Sequence, residues 1–161
     1  MSDALIRQTE AHDFETVLAL LRRAGLPTAG VREHFQHFLV AELDGEIVGC
    51  VGLELYGAHS LLRSLAVAKE HHKQGLGTRL TQEIIAQASS LGSKEIVLLT
   101  TTAENFFRRF GFEKIAREEA PREVHKSVEF QSACPTTATC MKLRLAPEHK
   151  FSKASGGLLL C

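Results

Sequence analysis

The stretch LLRSLAVAKEHHKQGLGTRL, residues 61–80, decides the fold. Leu61, Arg63, Leu65 and Val67 alternate with Leu62, Ser64 and Ala66, the two-residue period of a strand. Residues 69–74 are polar and Gly75 and Gly77 follow, after which Leu76, Leu80, Ile84 and Ile85 recur at helical spacing. A strand, a basic loop with two close glycines and a helix turn backbone amides outward at a helix N-terminus. The partial positive charge there favours an anion such as a phosphate, and the glycines let it approach the backbone closely. There is no GKS or GKT, which excludes a Walker loop. Leu80 stands where a dinucleotide-binding GxGxxG needs its last glycine.

At 161 residues one domain is expected. The 19 basic residues balance the 19 acidic ones, which argues against a nucleic-acid partner and for a small substrate of neutral or mixed charge. No run is apolar enough to span a membrane, and MSDALIRQTE has no signal-peptide pattern, so a cytoplasmic location is expected. Cys50, Cys134, Cys140 and Cys161 are scattered and read as thiols rather than a disulfide frame.

Upstream of the deciding stretch, residues 4–7 read as a first strand, 11–24 as an amphipathic helix stopped by Gly25 and Pro27, and 29–34 as a short helix. Strands at 38–43 and 46–56 flank the hairpin signal Asp44-Gly45, and residues 57–60 form the next turn. Downstream, a helix runs from about Gly75 to Leu91. A strand buried on both faces covers 95–101, a short helix 103–110 and a strand 112–117. The charged run 118–132 is partly helical, residues 137–145 are the last strand, and 152–161 form a loose tail. A single strand–helix–strand crossover, in the second half, gives a mixed α/β chain with a partly antiparallel sheet.

LAVAKEHHKQGLGTRL together with AENFFRRFGFEK resembles the GNAT superfamily of N-acetyltransferases over roughly residues 4–145. The first string matches the family's glycine loop, except that His72 replaces the usual Arg or Gln. The second is similar to its short helix ending in F-x-x-x-G-F. LLTTTAENFFRRFGF further resembles the N-acetylglutamate-synthase type of amino-acid acetyltransferase. LLRSLAV and EFQSACPTTATCM resemble a group associated with arsenic resistance.

The resemblance implies an α/β GNAT fold: a mixed, mostly antiparallel sheet with splayed middle strands and about four helices. The domain would cover residues 1–147, with a flexible tail at 148–161. It implies acetyl-CoA as co-substrate, its pyrophosphate on His72, Lys73, Gln74, Gly75, Leu76, Gly77 and Thr78. A bulge in the fourth strand, mapped to Leu65, Ala66 and Val67, would hold the thioester arm and stabilise the oxyanion. Asn105 and Phe107 would lie beside the cofactor. The family's Tyr acid is Phe107 in this chain, and its fourth-strand Glu is Leu61.

Hairpin geometry supplies substitutes. If 57–60 is the turn, Tyr56 opposes Leu61 and Glu54 opposes Arg63, and Glu54, Tyr56 and Arg63 share one sheet face. Glu54 is then a candidate base, Tyr56 a candidate acid, and Arg63 a bidentate partner for a substrate carboxylate. The plain alternative is a cross-strand ion pair between Glu54 and Arg63. A slip of one residue would bring in Ser64 instead. Arg122 is a further candidate for the carboxylate. Thr100, Thr101 and Thr102 line the cleft or serve as strand and cap residues. Cys134 and Cys140 are core thiols or an arsenical site, and no metal centre is expected. The resulting expectation is an N-acetyltransferase for a small amino-acid-like amine, with a possible homodimer and no nucleic-acid or membrane partner. A non-catalytic acetyl-CoA-binding module is the alternative.

Overall fold

The computed structural model describes residues 3–146. The expected tail, with Cys161, lies outside the described residues, as does the proposed domain boundary at 147. Among the described residues seven strands form one sheet in the order β1-β2-β3-β4-β5-β7-β6. They are β1 (Leu5–Gln8), β2 (Leu39–Leu43), β3 (Glu46–Tyr56), β4 (His59–Val67), β5 (Glu95–Thr100), β6 (Glu113–Ile115) and β7 (Thr139–Arg144). Of the described strands only β4 and β5 pair in parallel, joined through a crossover helix. The helices are α1 (Phe14–Arg23), α2 (Val31–His34), α3 (Leu76–Ser90) and α4 (Glu104–Arg108).

Two apolar layers fix the sheet between helices. Leu76, Leu80, Ile84 and Ala88 of α3 bury one stripe against Leu53, Leu62, Ile96 and Leu98. Val17, Leu18 and Leu21 of α1 cover Val40, Cys50 and Ala66 on the other face. A third cluster, Val97, Ala120, Val124 and Cys140, seats the segment after β6 on that same side of β5 and β7. That segment, expected to be partly helical, folds as three single turns: Arg117–Glu119, Arg122–Lys126 and Glu129–Ala133.

The β3–β4 hairpin corrects the expected register. Its loop is the two residues Gly57 and Ala58, with Gly57 at φ +66° as a type II′ turn asks of its first central residue. Tyr56 therefore pairs with His59, Glu54 with Leu61, and Arg63 with Gly52. The difference from expectation is two residues. Because side chains alternate with a period of two, Glu54, Tyr56 and Arg63 still share a face.

Candidate active site

The β4–β5 ladder holds only for His59↔Glu95, Ser60↔Ile96 and Leu61↔Val97, and then the strands part. A cleft of ≈ 740 Å³ opens where they diverge, between Arg63, Ser64 and Leu65 on one side and Leu98 to Ala103 on the other. The loop at 25–29 and Phe107 close its sides. At the mouth of the splay β4 carries a bulge: Val51 alone faces Ser64 and Leu65, and Ser64 stands at φ +63°. The irregularity thus lies one residue ahead of the expected Leu65–Val67. Ala66 and Val67 return to register with Cys50 and Gly49, and Ala66 packs under α1. The Cys50 thiol donates to the Ser64 carbonyl at 3.2 Å, and burial pushes that thiol up to about 12, keeping it a donor.

The glycine loop makes a tight turn at the N-terminus of α3. Lys73 (φ +73°) and Gly75 (φ +79°) turn the chain into the 15-residue α3. Arg79 is the first amide to close on this turn, onto Gly75 O at 3.1 Å. Among the described residues, no acceptor is bonded to the amides of residues 73–78. His72 is exposed, and its Nε2 lies 2.8 Å from the Val67 carbonyl, which braces the loop against the end of β4. A Cβ on Gly77 would sit 3.8 Å from Phe106, so α4 abuts the start of α3. Phe107, 5.1 Å from Phe106 between ring centroids, carries this contact on to the cleft wall. Asn105 is exposed on α4 and does not line the cleft.

Beneath the opposite end lies a buried ionic cluster. The Arg63 side chain has no exposed surface. It donates from Nη1 to Glu54 Oε2 at 2.7 Å, from Nε to Ser64 Oγ at 3.0 Å and from Nη2 to the Pro27 carbonyl at 3.3 Å. Glu129 Oε2 is 3.3 Å from its Nε. Glu54 also accepts from the Tyr56 hydroxyl at 2.5 Å, and His34 Nε2 is 3.8 Å from the same Oε1. Burial, then the hydrogen bond to Glu54 and that residue's charge, raise the Tyr56 phenol above its ordinary range. A guanidinium so fully engaged is not available as a bidentate grip on substrate. Gly30 (φ +83°) permits this packing, since a Cβ there would lie 2.9 Å from Arg63 Nη1. Glu54 and Tyr56 lie behind Arg63 and do not line the cleft.

Glu129 does line it, and the sequence reading did not single it out. It lay inside the quoted string EFQSACPTTATCM, and only the tertiary fold brings the 129–133 turn to Arg63 of β4. Thr101 and Thr102 line the cleft, while Thr100 Oγ1 also accepts from the Ala103 amide at 3.0 Å, a capping role. Cys134 reaches the cleft, Cys140 is buried in the core, and Arg122 is not part of the lining. Among the described residues no three His, Cys, Asp or Glu side chains are placed to hold a metal.

Residues 34–114 match the family model described as an acetyltransferase (GNAT) domain. An uncharacterized N-acetyltransferase of Chlorobaculum tepidum is 28% identical over 145 residues, covering 89% of this chain and 88% of that one. An amino-acid acetyltransferase of Neisseria meningitidis is 28% identical over 130 residues, 75% of this chain but only 30% of the relative. Among solved structures, N-acetylglutamate synthase of Neisseria gonorrhoeae, complexed with coenzyme A and N-acetyl-glutamate, superposes with a TM-score of 0.77 at 24% identity. It covers 91% of this chain and 36% of that one. The GNAT family N-acetyltransferase YhbS of Escherichia coli, in complex with CoA, gives 0.66 at 25% identity, with 92% and 84% covered. With a family model over half its length and that family's fold, the chain belongs to the GNAT acetyltransferases and is an acetyl-CoA-dependent N-acetyltransferase.

Proposed function

We propose that the protein acetylates the primary amine of a small amino-acid-like substrate held in the β4–β5 cleft. The observation that carries this reading is the splay itself. Along β4 it runs from the loop of unpaired amides at 73–78, suited to a pyrophosphate, to a cleft floor bearing one buried carboxylate, Glu129, suited to an ammonium. Lys73 to Thr78 hold the phosphates by backbone, with His72 bracing the loop rather than touching them. The bulge at Ser64–Leu65, with Ala66 and Val67 after it, receives the thioester arm along the edge that β5 has left. An amide there aimed at the thioester oxygen stabilises the oxyanion, a contribution of roughly 2.7–4 kcal/mol for one such donor. Phe107 supplies an apolar wall and no proton.

The amino-acid class draws on relatives that bear that name and span a longer chain than this one. Since Arg63 is engaged, a substrate carboxylate would meet the hydroxyls of Thr28, Thr101 and Thr102 at the cleft surface. A link to arsenic resistance rests on the resemblance of two short strings. Cys134 and Cys140 have different surroundings, cleft and core, and arsenite binding that survives Cys134→Ser would remove a thiolate role there. The balanced charge supports a small-molecule substrate over nucleic acid, and we place the enzyme in the cytoplasm, as a homodimer.

The test is thiol release from acetyl-CoA with a panel of amino acids, each paired with the amine lacking its carboxylate. Turnover with an amino acid at a kcat/KM at least about tenfold above its decarboxylated partner supports the reading. Equal rates overturn the carboxylate preference. Tight CoA binding with no thiol release from any amine overturns the acceptor assignment.

A further inference from the structure

Two buried carboxylates, Glu54 (1% exposed) and Glu129 (4% exposed), share one guanidinium, Arg63. They are not equivalent. Both oxygens of Glu54 are taken, Oε2 by Arg63 Nη1 and Oε1 by the Tyr56 hydroxyl, and the residue is walled off from the cleft. Glu129 has the looser contact, at 3.3 Å, and it is the only carboxylate among the described residues lining the cleft. Arg63 is shared with Glu54, and among the described residues no second cation lies within ion-pair distance of Glu129. Such a group suits both attraction of an ammonium and acceptance of its proton.

We propose that Glu129 is the general base of the acetyl transfer, taking the proton of the incoming ammonium at the cleft floor between Arg63 and Cys134. This assignment rests on the acetyl-transfer reading of the same cleft. The ammonium gives one proton to the Glu129 carboxylate, directly or through one water. The freed nitrogen pair attacks the thioester carbon, so that the C–N bond forms while the carbonyl π pair moves onto oxygen. Collapse re-forms the carbonyl and breaks the C–S bond. The nitrogen's second proton passes to the departing sulfur, and Glu129 releases its own to solvent through the cleft mouth.

The surroundings tune this base. Burial comes first in raising the Glu129 carboxyl above the ordinary range and Glu54's charge adds to it, while Arg63 and the Cys134 thiol oppose both. Cys134 is itself pushed up to about 12, so it faces Glu129 as a neutral donor. Tyr56 is a neutral phenol held by Glu54, and His34 approaches Glu54 rather than Glu129. A base raised toward neutrality is the better matched to proton transfer at physiological pH.

The experiment is the pH dependence of kcat/KM for the amine, in wild type and three variants, with CoA affinity measured directly alongside. Glu129→Gln is expected to lower kcat about 10²–10⁴-fold, remove the acidic limb and leave CoA affinity within about twofold. Glu129→Asp is expected to recover part of the rate and keep the limb. Glu54→Gln is expected to move the limb to lower pH, because one of the influences raising Glu129 is gone. If Glu129→Gln keeps the limb and a rate within about threefold of wild type, the assignment is wrong. It is equally wrong if Glu54→Gln, rather than Glu129→Gln, abolishes the limb. A wild type that binds CoA but acetylates no amine defeats the acceptor reading instead, and is told apart by the missing wild-type rate.

Discussion

The side of the cleft proposed for the cofactor draws on one continuous stretch, the Ser64–Leu65 bulge through the glycine loop to Thr78, whereas the floor proposed for the acceptor draws on β3, β4, α2 and the turn at 129–133. The first is made of backbone: positive φ at Ser64, Lys73 and Gly75, and amides at 73–78 that have no acceptor among the described residues. The second is made of side chains whose charges meet only once the sheet has formed. A phosphate demands little beyond amides and space, so local chain geometry suffices. Moving a proton at a chosen pH demands a tuned group, and tuning takes neighbours from several elements.

This contrast can be broken from either side. The largest effect is expected for Arg63→Ala, which strands Glu54 and Glu129 without their cation. Removing one partner of a buried pair costs about 3–5 kcal/mol, to be read from urea unfolding midpoints. A loss below about 1 kcal/mol would mean that the cluster is looser and wetter than its packing shows. Gly75→Glu comes next: charge and bulk at the loop should weaken CoA binding at least about 100-fold, roughly 2.7 kcal/mol, with little change in melting temperature. Retained affinity would move the phosphate site elsewhere.

Gly30→Ala sharpens the comparison, since its Cβ would press on Arg63 while φ is already +83°. A destabilisation of about 1–3 kcal/mol is expected, with a shifted amine KM and unaltered CoA affinity. Were CoA affinity to fall in step, the two sides would be coupled rather than separate. The smallest effect concerns pH. Because burial raises Glu129, the folded state holds a proton that the unfolded chain has already lost just above the ordinary glutamate range. Stability from this group is complete below that range and falls as pH rises through its raised folded value. Glu129→Gln should flatten that slope in unfolding free energy. An unchanged slope would show that Glu129 titrates normally.

The same division explains what could be read from the chain. The loop announced itself through GLG following an apolar strand, and Asp44-Gly45 fixed the β2–β3 hairpin, because both signals are local. The β3–β4 turn was harder. YGAHS admits a two-residue or a four-residue loop with the same alternation, so the sheet face of Glu54 and Arg63 was legible while their pairing was not. The bulge at Ser64 leaves no mark in composition. Glu129 sat in a charged run with no period of its own. Its burial comes from packing of the segment's apolar members, Ala120 and Val124, on β5 and β7, a long-range event.

The measurement that bears most directly on the whole account is a crystal structure with acetyl-CoA bound. The expected result places the pyrophosphate on the amides of residues 73–78, the thioester beside Ser64 and Leu65, and Glu129 within one water of the acetyl carbonyl carbon. A cofactor seated instead in the separate cleft beside Arg7, His12 and Arg23, on the α1 side, would contradict it.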